Sequence, residues 1–336
     1  MPEISSCRAA HLIPFVELFR DIGVPVEREL VGAKLPSLIE EIPDEVISNG
    51  LATRFVSSCA RREGIESSGW LWSQRFSVSN LSAGLLAALQ SQPTVRSRLE
   101  RFVLLSSLES SVIKASIVKS GENVEVISSV PRNDPLFAKR SAEWTQIAPL
   151  IEIIRSVAGP AWCPDAINFS SGQKIVEGAV QAFPNTRFVR NAPRTSIVMS
   201  ASVLAMSSAT RLPADLPQTA GRAPDVDLDL YRRLLRPYLR EERPTIDLFA
   251  EMSGTSRRTL QRNLSRVGTS FSELVETTRF EMATELLDES SLSLIDVAMM
   301  LGFSDASNFS RSFRRYAGVS PGQYRRQFRD RREIRA

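Results

Sequence analysis

What this chain of 336 residues has little of narrows it first. Histidine occurs once, at His11, so a Ser-His-Asp or Cys-His pair could run only through one residue near the N-terminus. Cysteine occurs three times, at Cys7, Cys59 and Cys163, far apart and without a CxxC pair. So odd and scattered a set speaks against a disulfide framework or a structural zinc site, and fits a reducing cytoplasm. No GxxxxGK[ST] or GxGxxG stretch is present, so those phosphate-cradling loops are absent and no cofactor is expected. There is no run of about 18 apolar residues to span a membrane. The opening residues lack a charged segment followed by an apolar one, and Pro14 and Glu17 interrupt the best early apolar run, so no secretory signal is expected. Lysine is scarce as well. It is confined to Lys34, Lys114, Lys119, Lys139 and Lys174, which leaves 37 of the 42 basic residues as arginine.

Arginine presents a planar fork that matches phosphate and the guanine edge, which suits nucleic-acid contact. Its preponderance alone decides little, because it already outnumbers lysine 17 to 5 over the first 221 residues and the net charge is only +4. The rest of the composition, 43% hydrophobic and 24% charged, is that of a soluble globular chain, not a collagen-like or disordered one. At roughly 150 residues per domain the length makes about two units.

One stretch divides them. Residues 207–227 hold three prolines, a glycine and small polar residues without hydrophobic period, the pattern of an exposed connector. Residues 1–206 read as α+β. Apolar residues recur at helical spacing over 81–105, broken at Pro93. Two β-rich runs, 111–119 and 124–130, flank a Gly-containing turn and predict a hairpin. An amphipathic helix follows over 142–157, stopped by Gly159 and Pro160, with short strands at 166–169 and 195–199. Trp70, Trp72 and Trp144 fit core packing better than the lining of a pocket.

Residues 228–336 read as all helix. Segments are expected at 228–239, at 245–252 with Thr245 as cap, and from Ser256 to about Val267, closed by Gly268. A long helix over 271–287 carries Phe271, Leu274, Val275, Met282 and Leu286 on one stripe, with Glu273, Glu276, Glu281 and Glu285 on a solvated outer face. Then the pattern repeats: a helix at 294–301, a turn at Gly302 and Phe303, and a capped helix over 305–316 ended by Gly318. A short helix, a tight turn and a capped helix form a helix-turn-helix, here twice about 50 residues apart. The spacing could set the two second helices about one DNA turn, roughly 34 Å, apart.

The residues that carry this pattern resemble a known family. Val297, Ala298, Gly302, Phe303, Ser307, Phe309, Arg311, Phe313, Arg314, Arg315, Gly318, Val319, Ser320, Pro321, Tyr324 and Arg325 stand at the spacing of the AraC-type transcription regulator signature. Upstream, Ser256, Leu260, Arg262 and Gly268, then Arg279, Ala283, Leu286 and Leu287, are similar to the first half of that domain. The N-terminal 200 residues resemble more loosely the effector-binding domain of one AraC subgroup, through the helix-hairpin-helix order and the stretch 184–204. The resemblance implies a promoter-binding regulator that meets double-stranded DNA, a small-molecule effector and a second copy of itself.

The reading helices can be judged on their own chemistry. With Leu260 and Leu264 turned inward, Arg257, Arg258, Gln261 and Arg262 face outward; Arg donates to guanine and Gln pairs adenine. Family carry-over points to Arg258, Gln261 and Arg262. In the second helix Phe309 and Phe313 turn inward and leave Ser307, Asn308 and Arg311 outward, while Ala306 offers no reach and Ser304 or Asp305 suits a cap. Arg314, Arg315, Arg325 and Arg326 suit phosphate clamping, and Arg329, Arg331, Arg332 and Arg335 form a basic arm. Two rivals stand beside the effector-responsive regulator. One is a regulator whose first domain only dimerises or binds a protein. The other is an enzyme fused to a DNA reader, with Cys163 as nucleophile.

Overall fold

The computed structural model describes residues 4–129, 139–208, 228–241, 244–289 and 292–333. Two compact units share the chain, one carried by most of residues 1–221 and the other mainly by residues 222–336. Most of the expected linker, residues 209–227, lies outside the described residues.

The first unit is α+β. The strands up to residue 208 are β1 (Ser6–Arg8), β2 (Val46–Ser48), β3 (Lys114–Ser120), β4 (Asn123–Ser129), β5 (Ala166–Asn168), β6 (Arg187–Val189) and β7 (Thr195–Ser200). Its helices are α1 (Ile13–Asp21), α2 (Val26–Gly32), α3 (Asn49–Arg62), α4 (Ser68–Ser73), α5 (Ala83–Gln90), α6 (Val95–Leu105), α7 (Lys139–Ala158) and α8 (Glu177–Ala182). The expected hairpin forms, paired from Lys114↔Ser129 to Ser120↔Asn123. It is part of a five-stranded sheet of order β3-β4-β7-β5-β6, antiparallel except for the parallel β5–β6 edge. Val124 and Val126 sit opposite Met199 and Ile197 on β7, all four buried. Helix α7 lies against β4 and β7, and its Ile147, Leu150, Ile151 and Ile154 are buried there. Pro93 separates α5 from α6 as expected, and Thr94 caps α6 by accepting from the Ser97 amide at 3.1 Å. Trp144 packs on Trp70 at 4.8 Å and on Phe169 at 5.1 Å between ring centres, the core role expected of both tryptophans.

A buried ionic group ties the start of this unit to its middle. Arg8, 5% exposed, donates to Glu109 at 2.8 Å and to Asp44 at 2.6 Å, and Glu109 also meets His11 at 3.0 Å. Burial pushes the Glu109 carboxyl up, but the contacts from His11, Ser82 and Arg8 outweigh it and hold the carboxyl at about 2, below its usual 4.5. A depressed carboxylate stabilises the fold above its unfolded value and loses that contribution as pH falls toward the folded one. The first unit is therefore expected to lose stability between about pH 4.5 and pH 2. Tryptophan emission, which comes entirely from residues 70, 72, 144 and 162, reports it in denaturant titrations. Glu109→Gln should flatten that dependence; an unchanged slope in the variant contradicts the assignment.

The second unit is all helix: α9 (Leu228–Glu241), α10 (Ile246–Met252), α11 (Arg257–Arg266), α12 (Phe271–Glu289), α13 (Leu294–Met300), α14 (Ala306–Ala317) and α15 (Pro321–Glu333). At 19 residues α12 is about 28 Å long, and it packs against α9, α13, α14 and α15. Leu274, Val275, Met282, Ala283 and Leu287 form its buried stripe; Leu287 takes the fully buried place expected of Leu286, which is half-buried. Its acidic face is not merely solvated. Glu276 accepts from Arg315 at 2.7 Å, Glu285 from Arg236 at 3.0 Å, and Glu281 sits 3.5 Å from Arg232. Helix α15 was not anticipated. Its Tyr324 ring meets Phe313 at 5.4 Å, so the segment after Pro321 closes the aromatic core of α14. The backbone of the expected basic arm is helical to Glu333, and Arg335 lies outside the described residues.

Candidate nucleic-acid interface

Two helix-turn-helix pairs organise the second unit, α10–α11 and α13–α14. In the first, the Thr245 hydroxyl accepts from the Leu248 amide at 3.2 Å and Ser256 accepts from Thr259 at 3.2 Å, satisfying amides that the first turn of each helix leaves unpaired. Leu260 and Leu264 are buried, which turns the opposite stripe of α11 outward. Arg257, Arg258, Gln261 and Arg262 are all exposed, as expected. They are not equally available. Arg257 pairs with Asp247 at 3.2 Å. Arg258, Gln261 and Arg262 hold no partner among the described residues, and at i, i+3 and i+4 they share one face.

The second pair is built differently. Ser293 and Asp296 form a reciprocal capping box on α13, an N-terminal signal unread in the sequence. Asp305 caps α14, accepting from the Asn308 amide at 2.7 Å; that bond, with the opposing effect of burial, holds its carboxyl below the usual range. The Asn308 side chain is spent within the cap. Its Nδ2 donates to Asp305 at 2.7 Å and to Ser304 at 3.0 Å, and its Oδ1 accepts from Arg311 at 2.6 Å. Of the residues read as facing outward, Ser307 and Arg311 are exposed and Asn308 is half-buried. Phe309 and Phe313 are buried, with Phe303 5.5 Å from Phe309 and Phe280 5.1 Å from Phe313. Arg279 is buried too, its guanidinium 5.1 Å over the Phe303 ring, where it supports the turn.

The arginines expected to clamp phosphates divide. Arg314 and Arg326 are exposed without a partner among the described residues. Arg315 is exposed but tied to Glu276, and Arg325 donates to the Leu292 carbonyl at 2.7 Å, closing the α12–α13 connection. The second pair thus offers fewer free donors than the first.

A separate feature lies within the first unit. A cavity of about 120 Å³ is walled by α1, α3, α4 and α7 together with β1 and the segment before β3; Trp72, expected to pack in the core rather than line a pocket, is buried but stands in that wall. Cys163, the nucleophile of the enzyme reading, is partly buried, and its sulfur meets the carbonyl oxygens of Ala161 at 3.7 Å and Ala182 at 3.9 Å. Among the described residues no helix is long and apolar enough to cross a membrane.

Comparison with known proteins agrees with this layout. A helix-turn-helix domain family matches residues 249–327, and the N-terminal arabinose-binding domain of AraC transcription regulators matches residues 23–208. The ornithine utilization regulator of Pseudomonas aeruginosa is 38% identical over 82 residues, 24% of each chain. The transcriptional activator NphR of a Rhodococcus species is 32% identical over 133 residues, 40% of this chain and 38% of its own. The chain thus spans well under half the length of these relatives. The solved DNA-binding domain of AdpA, in complex with a target DNA, is 31% identical, with 32% of this chain and 96% of that one covered at a TM-score of 0.28. These relatives are transcription regulators, not enzymes. With a domain of such regulators matched over residues 23–208, more than half of this chain, and a tandem helix-turn-helix unit behind it, the chain belongs to the AraC family of transcription regulators.

Proposed function

We propose that the chain is a sequence-specific promoter-binding regulator whose N-terminal unit senses a small molecule and pairs two copies, shifting how they address paired sites. The observation that carries the DNA reading is the free set on α11: Arg258, Gln261 and Arg262, exposed side by side with no protein partner among the described residues. Arg donates bidentately to guanine and Gln to adenine in the major groove, so this face can discriminate bases and not only hold the backbone. Helix α14 contributes through Ser307 and Arg311, with a weaker readout because Asn308 is committed to its own cap. Arg314 fits a phosphate contact, as does Arg315 once Glu276 releases it. The domain division at residues 206 and 228 and an intracellular, cytoplasmic setting follow from this reading. The cavity in the first unit supports sensing over simple pairing, because a domain that only dimerises needs no interior space.

Selection of genomic fragments by the full chain at about 150 mM salt, with competitor DNA, tests the reading. One shared motif of two half-elements about a helical turn apart is expected; uniform, salt-sensitive binding without a motif contradicts it. On a recovered site Arg314→Ala should weaken binding about equally across sequences and lower the slope of log affinity against log salt by about 1. A base-selective loss in that variant would move Arg314 from the backbone to the groove.

A further inference from the structure

The chemistry of the cavity wall narrows what the first unit can sense. None of the residues that line it is Lys, Arg, Asp or Glu, and the surface it offers is overwhelmingly apolar. The one imidazole in the wall, His11, has its Nε2 3.0 Å from the Glu109 carboxylate, which Arg8 also holds at 2.8 Å. An ionised ligand would lose its hydration there with no counter-charge to receive it. Three polar side chains are buried in the wall, Asn49, Ser110 and Gln146. Asn49 donates to the Ser5 hydroxyl at 3.1 Å and Ser110 to the Ser6 carbonyl at 3.2 Å. Gln146, only 8% exposed, makes no hydrogen bond among the described residues.

An amide that lines a cavity and is bonded to no protein group is available to pair with a ligand. The same helix adds a second open group. Pro149 lies inside α7 and has no N–H, so the Thr145 carbonyl lacks its α-helical donor; Thr145 and Pro149, one turn apart, both line the cavity. The volume sets the size. About 120 Å³ is close to the roughly 150 Å³ of an apolar cavity that holds one benzene.

We propose that this cavity binds a small uncharged molecule, a single ring or compact branched body with one hydroxyl or carbonyl paired to Gln146, and neither a sugar nor an ionised metabolite. A pentose carries a hydroxyl on nearly every carbon, whereas this wall is overwhelmingly apolar; beside the Gln146 amide and the Thr145 carbonyl its further polar side chains are few, chiefly Thr53, Ser57 and His11. This ligand class rests on the reading of the first unit as a sensor.

The test uses the full chain with five probes, benzyl alcohol, cyclohexanol, toluene, L-arabinose and benzoate, followed by saturation-transfer NMR and by thermal stability. Both neutral alcohols are expected to bind saturably with Kd below about 1 mM, and arabinose and benzoate at least about tenfold more weakly. Gln146→Leu should weaken the alcohols about fivefold while leaving toluene binding unchanged, a split that a merely structural role does not produce. Val56→Trp should fill the space and abolish binding; should it fail to fold, the Gln146→Leu comparison decides alone. Tightest binding by arabinose or benzoate, no binding by either alcohol, or alcohol binding indifferent to Gln146→Leu overturns the proposal. DNA affinity separates the two readings. Alcohol binding that leaves DNA affinity unchanged upholds the ligand class and removes the sensor, whereas DNA affinity that answers to arabinose alone upholds the sensor and overturns the class.

Discussion

Alanine at Gln261 or at Arg262 should cost the full chain about 10- to 100-fold in affinity for its selected site, on the order of 1–3 kcal/mol each. Each should also relax base preference at one position, because the lost pair is to a base edge. These side chains are exposed and unpartnered among the described residues, so their removal leaves the packing of α11 on Leu260 and Leu264 untouched. Asn308→Ala makes the contrast. Its amide is already given to Ser304, Asp305 and Arg311, so the loss should be smaller and should leave base preference intact. Fluorescence anisotropy on the selected site and its single-base variants measures both quantities. Should Asn308→Ala relax specificity while Gln261→Ala does not, the roles of the two reading helices are reversed.

Gly302→Ala should destabilise the second unit far more than a surface substitution does. Gly302 takes φ +71° in the turn between α13 and α14, where an L side chain costs roughly 1–2 kcal/mol. A Cβ there would also come 2.8 Å from the Leu239 carbonyl oxygen of α9, a backbone atom that cannot turn away. Overpacking of that kind adds on the order of 1–3 kcal/mol, for a total near 3 kcal/mol. Gly318, at φ +72° after α14, has open space around it, so Gly318→Ala should lose only the conformational part. All four tryptophans stand in the first 206 residues. Urea titration should therefore show the Gly302→Ala loss in the helical circular-dichroism signal and not in tryptophan emission. Equal losses in the two glycine variants would show that the close approach to α9 carries no weight.

The helices of the second unit were legible because their ends are written locally. Thr245, Ser256 and Asp305 each bond the amide three residues on, and Gly318 stops α14 in the left-handed region. The β3–β4 hairpin was legible for a similar reason, since its turn and its alternation lie within one short stretch. What stayed hidden depends on distant partners. Strand β6 is three residues long and exists only through its ladder with β5. Helix α15 opens on a proline and reads as a charged arm until Tyr324 meets Phe313. The acidic residues of α12 read as solvated because Arg232, Arg236 and Arg315 reach them from 39 to 49 positions away in sequence.

The site shows the same division. The exposed face of α11 follows from helical period alone, and Arg258, Gln261 and Arg262 stand where that period puts them. The commitment of Asn308 to its cap and of Arg325 to Leu292 needed coordinates. The cavity left no motif in the sequence, because its wall gathers residues from separate segments between Cys7 and Pro149.

The most direct measurement is a hydroxyl-radical footprint of the full chain on its selected site, repeated with Gln261→Ala and Arg311→Ala. Two major-groove segments about one helical turn apart should be protected on one face of the duplex, roughly 17 to 20 bp per protomer. Gln261→Ala should lift protection and base preference in one segment, and Arg311→Ala in the other. A single protected segment, or two that respond alike to both substitutions, would contradict the claim that one chain reads DNA with two helices.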